Sequence, residues 1–294
     1  MLDQAQKLRQ LALKKNICNS SKTYEESSDK ARIITVTSGK GGVGKSNIVV
    51  NLSIELQRMG YKVLLFDADI GMGNDDILMG FLPRHTVFDI ISNNMSVEDI
   101  LIEGEYGLKL LPGGTGMSRV DDLTSKEREE FLNKISNLNG FDYIIMDTGA
   151  GINKNVLGFV AASEELIIIT TPEPTSLTDA YSLIKAIDKF KLKKKANIII
   201  NRAITIKEAE VTYGKFKNAV NKFLNMEVNY LGKIAEDKFI TQAVREQRPF
   251  ILSHPNSEVS IDVKDIALKL SGLKSNEKPT GIQGLFRKLF KIFS

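Results

Sequence analysis

Seven short runs of apolar, β-branched residues punctuate the middle of the chain, and they constrain its fold more than any other feature. They are RIITVTS (32–38), KVLLFD (62–67), LKLLP (108–112), FDYIIMD (141–147), ELIIITT (165–171), NIIINR (197–202) and VNYLGKI (228–234). Hydrophobicity is continuous within them rather than alternating, so both faces of each strand are covered, as in a parallel sheet with helices on each side. The intervening segments, such as 46–59, 125–139, 175–190 and 207–224, are long enough for crossover helices. The expectation is an α/β domain built on a doubly wound, mostly parallel sheet with helices on both faces. Gly60 follows the first helix, Gly140 ends the one from Ser125, and Ser125 itself reads as a cap.

Apolar residues make up 42% of the chain and charged residues 26%, enough for a real core under an ordinary polar surface. Cys18 is the only cysteine, which excludes an intrachain disulfide and a cysteine-built zinc or iron–sulfur site, so a reducing, cytosolic setting is expected. No run of about 20 apolar residues is present, and the first residues interleave Leu with charge instead of forming a secretory core. The net charge of +4 is concentrated at the ends. Residues 1–22 carry five Lys/Arg against Asp3, and 281–294 carry Arg287, Lys288 and Lys291, which leaves −3 for 23–280. Such ends suit a partner or anionic lipid better than a DNA-coating role, so nucleic acid is the less favoured partner. Residues 14–31 and 271–280 are polar and lack apolar periodicity, and read as linkers. The organisation expected is a helix over 1–13, a linker, a core over 32–270, a second linker and a helix over 281–294.

After the first strand comes Gly39-Lys40-Gly41-Gly42-Val43-Gly44-Lys45-Ser46, the G-x-x-x-x-G-K-[ST] phosphate loop in its strand-to-helix setting. Its glycines let backbone N–H groups turn inward, and the following helix N-terminus adds partial positive charge where phosphate sits. Lys45 is placed to reach the β- and γ-phosphates and Ser46 to give a hydroxyl to Mg²⁺. The second strand ends in Asp67-Ala68-Asp69 and the fourth in Asp147-Thr148-Gly149; beyond the carboxyl ends of strands, these acids converge on the loop. Asn201 closes an apolar strand, where its amide can read an adenine edge or simply close a turn. By spacing alone, Lys40 is either a solvated lysine or a cation for phosphoryl transfer.

The string KGGVGKS, together with the strand-end aspartates, resembles the MinD/ParA-type deviant phosphate-loop ATPases of the SIMIBI class. That resemblance implies ATP and ADP as nucleotides with Mg²⁺, and an ATP-dependent homodimer in which Lys40 crosses to the partner's nucleotide. It places Gly39, Gly41, Gly42, Val43, Gly44, Lys45, Ser46 and Asn47 around the phosphates, Asp147 and Asp67 beside the metal with Ser46, and Asp69 on the attacking water. It puts Asn201, Arg202 and Asp237 at the base. It also implies, from TPEPTS, that Glu173 reaches the partner's nucleotide. Three positions depart from the family: Asn47 where MinD has a second hydroxyl residue, Gly149 where MinD has Pro, and Ala235 in place of Pro in the Pro-Glu-Asp segment.

The two ends narrow the resemblance. Counted at 100° per residue, Ile282, Leu285, Phe286, Leu289, Phe290, Ile292 and Phe293 fall in one arc of about 160°, opposite Arg287, Lys288 and Lys291. This separation fits a helix lying in a membrane interface; a helix docked on its own core and one held in a partner's groove are the alternatives. MinD shares a membrane tail. Asp3-Gln4-Ala5-Gln6-Lys7-Leu8-Arg9 resembles the DQAxxLR motif of FlhG proteins, also called YlxH or FleN, which MinD lacks. The resemblance implies that Asp3, Gln4, Ala5, Leu8 and Arg9 engage the SRP-type GTPase FlhF, with basal-body (C-ring) components as further partners. It implies a regulator of flagellar number and placement, reversibly peripheral on the inner face of the cell membrane. Division-site placement by a MinD and DNA partition by a ParA-like ATPase are the competing functions.

Overall fold

The computed structural model describes residues 31–69, 73–114, 123–273 and 280–293. The motif at Asp3, Gln4, Ala5, Leu8 and Arg9, and most of the first linker, lie outside the described residues. The strands are β1 (Arg32–Ser38), β2 (Val63–Ala68), β3 (Ile102–Glu103), β4 (Lys109–Pro112), β5 (Tyr143–Ala150), β6 (Glu165–Thr170), β7 (Lys195–Ala203) and β8 (Glu227–Ala235). They form one eight-stranded sheet in the order β3-β4-β2-β5-β1-β6-β7-β8. Every pairing is parallel except β3 with β4. All seven expected runs are strands. The addition is β3, a two-residue edge strand with an exposed Glu103 and no apolar run to announce it.

Adjacent residues explain the continuous hydrophobicity. Ile33 and Ile34 point to opposite faces of β1, and both are fully buried in separate clusters. The helices are α1 (Lys45–Arg58), α2 (Asp75–Leu78), α3 (Asp89–Ser92), α4 (Ser125–Ile135), α5 (Lys154–Ala162), α6 (Pro174–Lys189), α7 (Ile206–Phe223), α8 (Lys238–Arg245), α9 (Phe250–Ser253), α10 (Glu258–Gly272) and α11 (Gly281–Phe293). α1 and α10 pack on one face of the sheet; α4, α5, α6, α7 and α11 pack on the other. None of the described helices is long and apolar enough to cross a membrane.

Local chemistry shifts three expected boundaries, the first being the end of α4, which stops at Ile135 with Ser136 as its C-cap rather than running to Gly140. The cap of α4 is Thr124 rather than Ser125, because Thr124 and Glu127 close a reciprocal capping box. α10 continues to Gly272, so the second linker begins later than its composition suggests. Gly60 behaves as expected: at φ 96° it donates to the Gln57 carbonyl and stops α1.

The largest difference concerns α11, whose apolar arc is buried against the chain's own core rather than left free for lipid. Ile282, Leu285, Phe286, Leu289, Phe290 and Phe293 are all buried in one cluster with Phe66, Phe131 and Phe159. The Phe286 ring lies 4.8 Å from Phe131 and 5.6 Å from Phe66, centroid to centroid. Gly158 is the seat for Phe293, since a Cβ on Gly158 would lie 2.5 Å from that ring. Polar contacts fix both ends of the helix. Thr280 donates to Glu164 Oε1 at 2.8 Å, and Lys154 Nζ donates to the Phe293 carbonyl at 3.3 Å. The physical reason is area: an arc apolar enough for a bilayer is equally well satisfied by a phenylalanine-lined groove. Phe286→Ala is expected to weaken this docking by about 3 kcal/mol, and amide exchange should then speed up across Gly281–Phe293 while β1 and β5 stay protected.

Candidate functional site

The phosphate loop leaves the end of β1, at the centre of the sheet, where the chain order changes direction: β5 and β2 lie on one side and β6 and β7 on the other. This is the switch point at which open α/β sheets bind ligands. The loop's shape rests on two close approaches. A Cβ on Gly39 would lie 2.2 Å from the Asp179 backbone, and Gly44 combines φ 87° with an Asn201 amide only 2.5 Å from where its Cβ would stand. β7 then clasps the loop. Asn201 Nδ2 donates to the Val43 carbonyl at 2.6 Å, and Arg202 Nη2 donates to the Gly42 carbonyl at 2.9 Å. Arg202 has φ 57°, a left-handed conformation that a side chain tolerates only when its contacts hold it.

Lys45 and Asp147 form a buried ion pair at 2.6 Å. Burial works against the lysine's charge, but the surrounding carboxylates, Asp147 foremost with Asp75 and Asp69, offset it and the ammonium is held above its ordinary pKa. Lys45 Nζ also lies 3.5 Å from the Ser46 hydroxyl. Asp67 accepts from the Asp69 N–H at 3.2 Å and the Asp75 N–H at 3.4 Å. Burial, followed by repulsion from Asp147, pushes the Asp67 carboxyl up to about 7. Asp69 is half-buried and is raised by burial, against the pull of Lys45. Its Oδ1 lies 3.0 Å from where a Cβ on Gly149 would stand, tighter than an ordinary contact.

Lys40 and Glu173 meet in the same chain. Lys40 Nζ lies 2.8 Å from Glu173 and 3.1 Å from the Thr175 hydroxyl, in an exposed pair at the start of α6. Asn47 lends its backbone carbonyl to the Asn51 side chain. Asp237 caps α8, accepting from the Phe239 N–H at 2.9 Å. The Ala235 N–H donates to Asp262 at 2.8 Å, a bond that proline cannot make, which explains the third departure. The structure thus gathers Lys45, Ser46, Asp67, Asp69 and Asp147 below the loop, Asn201 and Arg202 at its flank, and Lys40 with Glu173 on its outer side.

The sequence reading missed Asp75. It is completely buried, and burial with the nearby Asp147 and Asp67 raises its carboxyl well above the ordinary range. Neither of its side-chain oxygens has a hydrogen-bond donor in the structure. In Asn74-Asp75-Asp76 it reads as an ordinary first-turn acid, so no local signal marks it.

These residues fit a nucleotide. The buried Asn201 Oδ1 has no partner and is an acceptor suited to an exocyclic amine. The loop presents N–H groups at the start of α1, and Lys45, already charged, needs only to turn from Asp147 to a phosphate. Ser46, Asp67 and Asp147 would hold Mg²⁺, whose chemistry there is to neutralise phosphate charge.

The Asp67 shift has a stability consequence. In the unfolded chain the carboxyl ionises near its ordinary value of 3.8, whereas the folded state keeps the proton to about 7. The folded state therefore binds more protons in that window, and the contribution is complete below pH 4 and lost as pH rises through 7. Without nucleotide, Asp67→Asn is expected to be more stable than the parent at pH 8, by about 1–3 kcal/mol, with the gap closing toward pH 5 in urea melts.

An AAA-domain family model matches residues 31–200. The chain is 36% identical over 297 residues to the flagellum site-determining protein YlxH of Helicobacter pylori, covering 99% of each chain. It is 33% identical over 251 residues to the antiactivator FleN of Pseudomonas aeruginosa, covering 85% of this chain and 90% of FleN. Among solved structures, the septum site-determining protein MinD complexed with Mg-ADP from Pyrococcus horikoshii superposes with a TM-score of 0.65 at 27% identity, over 84% of this chain and 100% of that one. With the phosphate loop, the strand order and the convergent carboxylates in place, the chain belongs to the MinD-like family of phosphate-loop ATPases that includes YlxH and FleN.

Proposed function

We propose that the chain is an ATP-driven switch between a closed monomer and a membrane-bound homodimer, and that it sets flagellar number and placement. The flagellar part is supported by the names of its relatives, a flagellum site-determining protein and the antiactivator FleN. The switch part is carried by one observation: α5, which seats the docked α11, begins only seven residues after Asp147.

A γ-phosphate competes with Asp147, now 2.6 Å away, for Lys45, so nucleotide binding loosens the carboxylate that stands three residues before the end of β5 and the 151–153 loop. That loop ends at Asn153, which caps α5 by accepting from the Val156 N–H at 2.9 Å. A shift there moves Lys154, Gly158 and Phe159, which contact Phe293. On the outer side, Lys40 exchanges Glu173 for the partner's nucleotide and supplies cationic stabilisation to the transferring phosphoryl group. Asp69 orients the attacking water, and Asn201 reads the base. Mg²⁺ neutralises phosphate charge when bound. One short amphipathic helix binds lipid marginally and two in a dimer gain avidity, so hydrolysis returns the protein to the cytosol.

Vesicle flotation with ATP against ADP tests this reading. Asp69→Ala should keep ATP binding, lose hydrolysis and accumulate on vesicles, while Gly158→Val, whose side chain displaces Phe293, should with ADP float weakly but measurably above the parent, one free helix per monomer. Flotation of neither variant contradicts the switch.

Residues 1–13 are proposed to engage the GTPase FlhF through Asp3, Gln4, Ala5, Leu8 and Arg9. Peptide 1–22 is expected to speed that partner's GTP turnover, and the same peptide with Gln4→Ala and Arg9→Ala is not; equal turnover with both rejects the assignment.

A further inference from the structure

The end of the sheet opposite the phosphate loop carries a group of lysines that the nucleotide reading does not use. α6 ends at Lys189 and β7 begins at Lys195, while α7 ends at Phe223 and β8 begins at Glu227. The two turns lie side by side: the Asn225 N–H donates to Asp188 at 3.3 Å and the Glu227 N–H to the Lys194 carbonyl at 2.9 Å. Lys189, Lys191, Lys194, Lys195 and Lys222 are all exposed. None forms an ion pair among the described residues. Against them, the same turns hold Asp188 and Glu227. Phe223 stands among them at 65% exposure, with Lys222 Nζ 5.2 Å from its ring centroid.

Lys191 adds a second observation. It has φ 52° at the closure of α6, where its N–H returns to the Asp188 carbonyl and the next N–H to the Ile187 carbonyl. Glycine occupies that position without strain. A lysine there is strained and gains no ionic partner within the chain.

The position of this end matters as much as its charge. Lys193, in the same turn, is buried and donates to the backbone carbonyls of Ser163 and Glu164. Glu164 is the residue that receives Thr280 at the foot of α11. The Leu270 carbonyl near the end of α10 accepts from Arg32 at the start of β1, 3.0 Å away. The chain therefore leaves the core for α11 beside the lysines. Leu273 and Gly281 are eight residues apart, about 30 Å at most, so a released α11 stays close to this end.

We propose that the lysine-rich end is a second membrane-contact surface, lying against anionic headgroups when α11 inserts, with Phe223 at headgroup level. The proposal rests on the membrane reading of α11 given above. Each lysine held near an anionic leaflet strengthens binding about fivefold, and the effect fades beyond a Debye length. An exposed aromatic among lysines suits the interface between headgroup and acyl chain. Lipid is favoured over nucleic acid because the surface is contiguous with the foot of the lipid-seeking helix.

The test uses the full chain carrying Asp69→Ala, with ATP, and vesicles of pure phosphatidylcholine or with about 30% phosphatidylserine. The protein should float at least about tenfold better on the anionic vesicles. With Lys189, Lys191, Lys194 and Lys195 changed to Gln, its preference for anionic vesicles should fall about tenfold or more, to what Arg287, Lys288 and Lys291 of α11 supply, while its affinity for ATP is kept. Lys191→Gly should raise the melting temperature yet lower anionic binding a few-fold, a combination that a folding defect does not produce. A four-lysine variant that keeps the full preference for anionic vesicles overturns the proposal. So does a variant that keeps it while losing salt-sensitive DNA retardation, which assigns the surface to nucleic acid. If the parent binds neither vesicle type with ATP, the membrane reading of α11 itself falls, a result distinct from any change in the variants.

Discussion

One buried cation holds the centre of this molecule together electrostatically. Lys45 is paired with Asp147 in a pocket that also contains Asp67 and Asp75 and is bordered by Asp69. Four carboxyls around one ammonium compete for its charge in a dry site: burial and mutual repulsion raise the Asp67 and Asp75 carboxyls above the ordinary range, while Asp147 keeps the lysine. The sheet imposes the crowding, since β1, β2 and β5 are adjacent and parallel and all end at the same level. The arrangement is chemically prepared for phosphate, which gives Lys45 a second anion to bind.

The strand that carries Asp147, β5, leads through residues 151–153 into α5, and α5 is part of the floor on which α11 rests. Two functions that look separate along the sequence, a phosphate loop at 39–46 and an amphipathic tail at 281–294, therefore share one nine-residue helix. Its glycine at 158 serves packing: the Phe293 ring fills the space a side chain would take. The docked helix also covers Phe66, Phe131 and Phe159, so its release exposes apolar surface on both the helix and the core. In the proposed switch, that two-sided cost is what keeps the closed form dominant until a partner subunit or a bilayer offers compensation.

Much of this was legible before any coordinates. Continuous β-branched runs identify a sheet buried on both faces, and the phosphate loop with its strand-end aspartates identifies the ligand end, because these are local patterns with a single structural meaning. What the sequence hid is tertiary. The apolar arc of α11 specifies a helix that needs an apolar surface and cannot say whether that surface is lipid or Phe131. Asp75 reads as an ordinary helix-start acid until the fold closes over it, and Lys193 reads as one more lysine in a basic run until it is seen donating to Ser163 and Glu164. Thr124 displaced Ser125 as a cap because the capping box depends on which residue lies three before a glutamate.

The central claim is that nucleotide at the phosphate loop decides whether α11 stays on α5. The most direct measurement is the distance between spin labels at Glu129, on the exposed side of α4, and at Lys291, near the end of α11, in the Asp69→Ala chain with Cys18→Ser. The account predicts one short, narrow distance with ADP and a long, broad distribution with ATP. An unchanged short distance with saturating ATP, in protein shown to be dimeric, would contradict it.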